Sequence, residues 1–529
     1  MTFSRKWCAA AVLAATVFAA TIRLPLLDVR PMHGDEAVGA VKFGALFEDN
    51  YYRYDPHQYH GPTLNYFTLI PAYLTGCDTF EQVTETTVRM VPAIFGVLLV
   101  LMILPAAAGM GSMAAIFAAI LTAVSNAMVF YSRFYVHEML LVVFTFGVIC
   151  FGWRCVTTGR VLWAAAAGLC AGLAYATKET FIIALGSMTA AAVAAAVFQR
   201  HAAKQAVRPG VVNLAVAIAA AVVVSCLFYS SFFSNPAGIS DSVSFTNTYI
   251  GRAASGDEIH LHPWYYYLKM LAYSQFAPGV AWSEALIPAL AAAGFVAVMS
   301  RRIEKGADAG LAAFIAVYTF IMTAVYSAIS YKTPWCMLGF LHGMVLLAGI
   351  GASAILRSLK RPFLKTAAAV LLAAGACHLA YQAYLGSYRY YDDPANPYVY
   401  AHTSRDVFKI VDEIEAAADA AAGRDTYIQV ICRGDDYWPL PWYLRSFDSV
   451  AWQSQVDESL PPAPVIITTP ELEPAIIQQL YLKPPPGEKQ LYVPLFDEYL
   501  ELRPKVEMRG LATKQLYERI LQADRPPLP

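Results

Sequence analysis

Asp35 and Glu36 stand side by side in PMHGDEA (31–37), directly after the first apolar stretch of the chain. A carboxylate held at a membrane surface can deprotonate an acceptor hydroxyl or amide as that group attacks a sugar carbon. Its neighbour can orient the acceptor or hold a metal. The plain alternative is a pair of ordinary interfacial acids. Downstream, YYRYDPHQYHGPTLNYF (51–67) crowds tyrosines, Tyr59 among them, around His57 and His60. Aromatic rings there suit sugar stacking or an interfacial belt equally.

Three cations raise a second question. Arg133 lies in FYSRFYVHEML (130–140), followed by His137 and Glu138; Lys178 and Glu179 lie in AYATKETF (174–181); Lys332 lies in ISYKTPW (329–335). Each occupies a short polar interval between apolar stretches. Ionisable groups at membrane depth are expensive unless paired or employed. They can be structural ion pairs, or they can converge on the phosphate of a lipid-linked donor. In EIHLHPWYYYLKML (258–271), His260 and His262 share one side of an extended segment. With His60 they could bind a divalent metal; polar histidines beside an interfacial aromatic cluster around Trp264 and Tyr265 explain the same text. In RGDDYWPLPWYLR (433–445), charges and aromatics could recognise an acceptor, cover a cavity or simply anchor a surface loop.

The elements that must position these residues are mostly membrane spans. The 529-residue chain is 57% hydrophobic and 15% charged, whereas soluble domains are about a quarter charged, so it reads as a polytopic membrane protein. Apolar stretches recur at 7–24, 88–108, 113–130, 138–153, 161–176, 181–198, 211–230, 283–300, 309–328, 335–355 and 364–384, which predicts about eleven spans, some short enough to need tilt or a thin bilayer. The first follows Arg5 and Lys6 and lacks a clean cleavage site, so it reads as an uncleaved span. Arg5 and Lys6, Arg154 and Arg160, Arg200 to Arg208, Arg301 to Lys305 and Arg357 to Arg361 all fall on one side. The positive-inside rule makes that side the cytoplasm. Every candidate residue above then faces out.

The predicted organisation is an α-helical membrane domain over 1–384 with exterior loops 25–87 and 231–282, then an exterior α/β domain over 385–529. The tail carries helical text at 407–421 and strand-like runs at 426–432, 464–469 and 490–496. The nine cysteines are scattered without a CxxC pair, there is no nucleic-acid signal, and no nucleotide-binding loop accompanies the first strand. Absence of an internal repeat weighs against transporters built from repeated halves.

The acidic pair after the first span, YHGPTLNYF (59–67), VRMVPAIFG (88–96), SRFYVHE (132–138) and KTPW (332–335) together resemble integral-membrane glycosyltransferases of the GT-C fold. The resemblance is to the protein O-mannosyltransferase and aminoarabinose transferase superfamily, and within it to the flippase activity-associated, Agl23-like branch; it covers about 7–384. It implies an inverting transferase in the cytoplasmic membrane that takes sugar from a polyprenyl-phosphate donor to a lipid, glycan or protein acceptor at the exterior face. No nucleotide cofactor is needed, since the energy resides in the phospho-sugar bond. By resemblance Asp35 is the catalytic carboxylate with Glu36 beside it, and Arg133, Lys178 and Lys332 serve the donor phosphate. Tyr59, His60, His137, Glu138, Glu179, Trp264 and Tyr265 are substrate-side candidates, and a divalent metal near the active loops involves His60, His260 and His262. The relatives' HPP-like signature stands here as His60-Gly61-Pro62. The branch's label supplies a competing role, a flippase or flippase-associated protein without transferase activity.

Overall fold

A computed structural model describes residues 4–55, 60–199, 210–244, 260–276, 278–485, 487 and 489–523. Two compact units emerge. The first comprises Met1–Leu27, Ala45–Gly76 and Thr84–Tyr400; the second comprises Asp28–Gly44, Cys77–Val83 and Ala401–Pro529.

The first unit is a helical bundle. Among the described residues, eight helices are long and apolar enough to cross a membrane. A bent pair, α6 (Ser112–Val124) and α7 (Asn126–Ser132), makes a ninth candidate, and two shorter apolar helices, α9 (Val161–Tyr175) and Leu286–Met299, bring the number to the eleven expected. The remaining spans labelled here are α1 (Arg5–Arg23), α4 and α5 (Glu85–Leu101 and Ile103–Met110), α8 (Glu138–Thr158), α10 (Phe181–Gln199) and α11 (Val211–Tyr229). Close helix contact is made by small residues, as is usual where lipid removes the hydrophobic drive between helices. A Cβ on Gly294 would meet the Leu347 carbonyl oxygen at 2.0 Å, and one on Gly351 the Leu290 oxygen at 2.1 Å. The two glycines let Leu286–Met299 and Leu338–Ser358 touch backbone to backbone.

Two features depart from the sequence reading. The interval 25–87 is largely helical, with α2 (Gly34–Asp49) and α3 (Thr63–Leu74). The stretch 113–130 is not one straight span but bends by 55° at Ser125. There the Ser125 hydroxyl accepts from the Met128 N–H and donates to Glu284 at 2.6 Å, and Glu284 also accepts from the Ala127 N–H (2.8 Å) and the Tyr398 hydroxyl (2.6 Å). A buried carboxylate thus satisfies the open N–H groups at the start of the half-helix, the end that attracts negative charge.

The second unit contains a mixed sheet of β1 (Ile428–Ile431), β2 (Val450–Gln453), β3 (Val465–Thr468), β4 (Tyr492–Pro494), β5 (Leu500–Arg503) and β6 (Val506–Thr513). Its order is β2-β1-β3-β6-β4, with β5 also on β6; β1 is parallel to β2 and β3, and β6 is antiparallel to β3, β4 and β5. Strands β1 and β3 are buried along their whole length, Gln429 and Thr468 included, because both faces are covered. Helices Asp406–Asp419 and Lys514–Ala523 pack Val407, Ile410, Ile414, Leu516 and Ile520 onto Ile428, Val430, Val465 and Ile467.

Candidate active site

In the second unit, α2 begins at the acidic pair. The His33 N–H donates to Glu36 Oε2 (3.0 Å), and the His33 Nδ1 accepts from the Asp35 N–H (3.1 Å). This is the reciprocal geometry of a capping box with histidine at the cap position. Glu36 is fully buried and pairs with Arg30 at 3.4 Å. The segment before the helix is pinned as well. The Met32 N–H donates to the Tyr443 hydroxyl (2.8 Å), the Thr403 hydroxyl donates to the Met32 carbonyl (2.6 Å), and the His33 and His402 rings meet edge to face at 5.3 Å. Asp35, one residue away from Glu36, is exposed. Two adjacent carboxylates therefore have different tasks: Glu36 builds the helix start, and Asp35 is displayed on it, where the helix dipole favours an anion.

The first unit gathers a second set. Glu179 is buried; it accepts from the Tyr54 hydroxyl at 2.6 Å and meets His60 Nδ1 at 3.1 Å. Burial pushes its carboxyl up, but the hydrogen bond and charge of His60 and the Tyr54 hydroxyl outweigh this and bring it down to about 2. The His60 ring lies edge to face with His137 at 5.3 Å, and His137 Nε2 bonds the Gly61 carbonyl at 3.1 Å. Desolvation, with help from His60 and Lys178, holds His137 well below the usual imidazole value. Lys178 is ion-paired with Glu138, both buried.

Gly61 is fixed by the backbone packed against it. A Cβ there would meet the Ala176 carbonyl oxygen at 2.2 Å, and the same oxygen accepts from the Thr63 N–H at 3.2 Å. The backbone of 61–63 lies directly on that of 176–177, so a larger residue at 61 collides with main chain.

The other predicted residues go elsewhere. The Arg133 guanidinium donates to the carbonyls of Arg23 (2.9 Å), Pro25 (2.7 Å) and Leu26 (2.7 Å) and to the Tyr388 hydroxyl (3.2 Å), and sits over the Tyr388 ring. It locks the turn after α1, where Leu26 adopts a left-handed φ of 52°. Arg23 and Arg89 close the same turn, Arg89 on the Leu27 carbonyl and Arg23 on Thr122 and Ala123. Lys332 is buried, with Nζ on the carbonyls of His262 (3.2 Å) and Ile329, and burial lowers its pKa. Trp264 and Tyr265 are exposed. Tyr59 and His57 lie outside the described residues.

The expected histidine metal site is not assembled. His60 is engaged with Glu179, His260 Nδ1 with the Tyr400 hydroxyl at 2.7 Å, and His262 stacks on Tyr266 with ring centroids 4.0 Å apart. Among the described residues no three His, Cys, Asp or Glu side chains come together as a metal site. Two participants were not singled out in the sequence: Tyr54, hidden among neighbouring tyrosines, and Glu284, the one carboxylate inside the apolar text 283–300 and so open to detection as an intramembrane charge.

Comparison with known proteins places this geometry in a fold. The model of the dolichyl-phosphate-mannose-protein mannosyltransferase family matches residues 60–229. None of the curated proteins matches in sequence. Among solved structures, ArnT from Cupriavidus metallidurans bound to undecaprenyl phosphate is 14% identical with a TM-score of 0.60, covering 96% of this chain and 98% of its own. AglB, an oligosaccharyltransferase of Archaeoglobus fulgidus, in complex with an inhibitory peptide and a dolichol-phosphate, is 12% identical with a TM-score of 0.52, covering 88% of this chain and 70% of its own; an Archaeoglobus fulgidus oligosaccharyltransferase in complex with zinc and sulfate is also similar in structure. The mycobacterial arabinofuranosyltransferase AftD is 14% identical with a TM-score of 0.51, covering 97% of this chain and 40% of its own. The chain is thus a polytopic membrane protein with a GT-C-type fold.

Proposed function

We propose that the chain is an inverting glycosyltransferase that moves a sugar from a polyprenyl-phosphate donor to an acceptor at the exterior membrane face, with Asp35 as the base. The observation that carries this reading is the division between the adjacent acids. Glu36 is buried and bonded, while Asp35 stands exposed at a helix start braced from both sides. The likeness to ArnT and AglB, solved with undecaprenyl phosphate and dolichol-phosphate, supports the donor class.

The acceptor oxygen or nitrogen attacks the anomeric carbon opposite the phosphate. Its proton passes to the Asp35 carboxylate, the new bond forms with inversion, and the carbon–oxygen bond to the polyprenyl phosphate breaks with its electrons on the phosphate. Positive charge near the departing oxygen stabilises the transition state. Lys178 and Lys332 are the proposed cations, because a compact ammonium can exchange a partner for phosphate. Arg133, whose donors already meet four oxygens, instead holds the turn that leads into the catalytic segment. The Tyr54–Glu179–His60 set supports the substrate side. His60, His260 and His262 have other partners, so no step is routed through a metal.

The proposed setting is the cytoplasmic membrane, with the N-terminus cytoplasmic and the sheet unit exterior. The test is transfer of labelled sugar from defined polyprenyl-phosphate donors by purified protein in lipid; bound donor that is never consumed would refute the transferase reading.

A further inference from the structure

A second polar locus lies inside the bundle of the first unit, formed by side chains the proposed chemistry does not use. Thr145 and Phe146 of α8, Tyr318 of Ala309–Ala328, and Gly339, His342 and Gly343 of Leu338–Ser358 line one small cavity with Val142, Ile149 and Leu346. Thr145, Tyr318 and His342 are all more than nine-tenths buried. Among the described residues, Thr145 Oγ1, the Tyr318 hydroxyl and His342 Nε2 have no hydrogen-bond partner in the protein. Neither has Thr319 Oγ1, which lies against Gly343, 2.4 Å from where a Cβ would stand.

Orphaned polar atoms at this depth are costly. With a rise of about 1.5 Å per residue, Thr145 and Tyr318 lie roughly 10–14 Å, and His342 roughly 6 Å, from the nearer ends of their helices. A buried polar group without a partner carries its full desolvation cost. Several converging on one cavity require a shared partner. The space open to a water centre is about 10 Å³, close to the roughly 10–15 Å³ that one water needs. No carboxylate lines the cavity, so a cation would lack a counter-charge, and the hydroxyls and imidazole together offer both donors and acceptors to a neutral molecule. Gly339 and Gly343 line the same space, and the His342 ring rests edge to face on Phe146 at 4.7 Å.

We infer that this cavity is an internal water site that ties α8 to helices Ala309–Ala328 and Leu338–Ser358 through Thr145, Tyr318 and His342. The inference stands independently of the transferase reading. The test is hydroxyl-radical footprinting by X-ray radiolysis of the full chain in lipid, where bound water generates radicals beside buried side chains. Phe144 is an internal control, since it is buried on the same helix and packs on Phe67 and Phe95 instead. Phe146 and Tyr318 are expected to be modified several-fold faster than Phe144, and modification of Phe146 is expected to fall to the Phe144 rate in T145V/Y318F. Equal rates in the unaltered protein overturn the inference. So does undiminished modification of Phe146 in the double variant, or in Y318F alone should the double variant not fold.

Discussion

The turn at 23–27 and the helix start at 33–36 are both crowded with ionisable groups, and they use them in opposite ways. At the turn, Arg23, Arg89 and Arg133 direct their guanidinium groups onto backbone carbonyls of 27, 122, 123, 23, 25 and 26. At the helix start, one carboxylate is bonded within the backbone cap and its neighbour is left exposed. A planar five-donor group suits a cluster of carbonyls that would otherwise be unsatisfied. A carboxylate that must accept a proton from a substrate needs the reverse: a rigid support and an open side. Charge at the membrane face is therefore a poor guide to function until its partners are known.

The largest effect expected is at the exposed acid. D35N should lower the transfer rate by about 10²–10⁴-fold, the range for loss of a general base, while thermal unfolding stays near that of the unaltered protein. A D35N enzyme that unfolds early would break the contrast. The bonded acid should behave oppositely. E36Q removes the negative charge beside Arg30, and breaking a buried ion pair costs about 3–5 kcal/mol, so its unfolding midpoint should fall markedly. R133M should resemble E36Q, because each buried carbonyl left without a donor costs about 1–3 kcal/mol. Donor affinity of the folded fraction of R133M should be unchanged; a selective loss of that affinity would return Arg133 to the phosphate site.

Lys178 sharpens the comparison, being both paired and proposed to work. K178M should weaken polyprenyl-phosphate binding about 10-fold, equivalent to about 1.4 kcal/mol, measured by titration in lipid beside K178M/E138Q, which removes the stranded carboxylate. A smaller effect concerns acid stability. Glu179 sits at about 2 in the fold against an ordinary 4.5. Its contribution is complete above the ordinary value and is lost as pH falls toward 2. E179Q should flatten that acid limb in unfolding measured against pH. The smallest effect belongs to the exposed Arg424–Glu81 pair, where E81Q should leave the unfolding midpoint almost unchanged.

Much of the architecture was legible because hydrophobic length reports a span directly. The eleven stretches correspond to the eight long helices, the bent pair and the two short apolar helices. The tail strands at 428–431, 465–468 and 492–494 fall within their predicted runs. Helices α2 and α3 were not read, since FGALFED and the Pro71-interrupted TLNYFTLIPAYL sit among loop-like tyrosines, prolines and histidines. The bend at Ser125 was hidden because Glu284, which satisfies it, is distant in sequence. The same limit applies to the site. Residue type made Asp35, Lys178, Glu179 and Lys332 candidates, but only tertiary partners separate Asp35 from Glu36, commit Arg133 to a turn, or keep three histidines apart. Gly61 needed the Ala176 carbonyl beside it before its absent side chain had a reason.

The most direct test of the central claim is sugar transfer from a panel of labelled polyprenyl-phosphate donors by purified protein in lipid, run beside D35N. The account predicts turnover of at least one donor, lowered at least about 100-fold in a D35N protein that unfolds at the same temperature and still binds that donor. Turnover unaffected by D35N would contradict the assignment of the base. A donor that binds without being consumed, and is instead carried across the bilayer, would contradict the transferase itself.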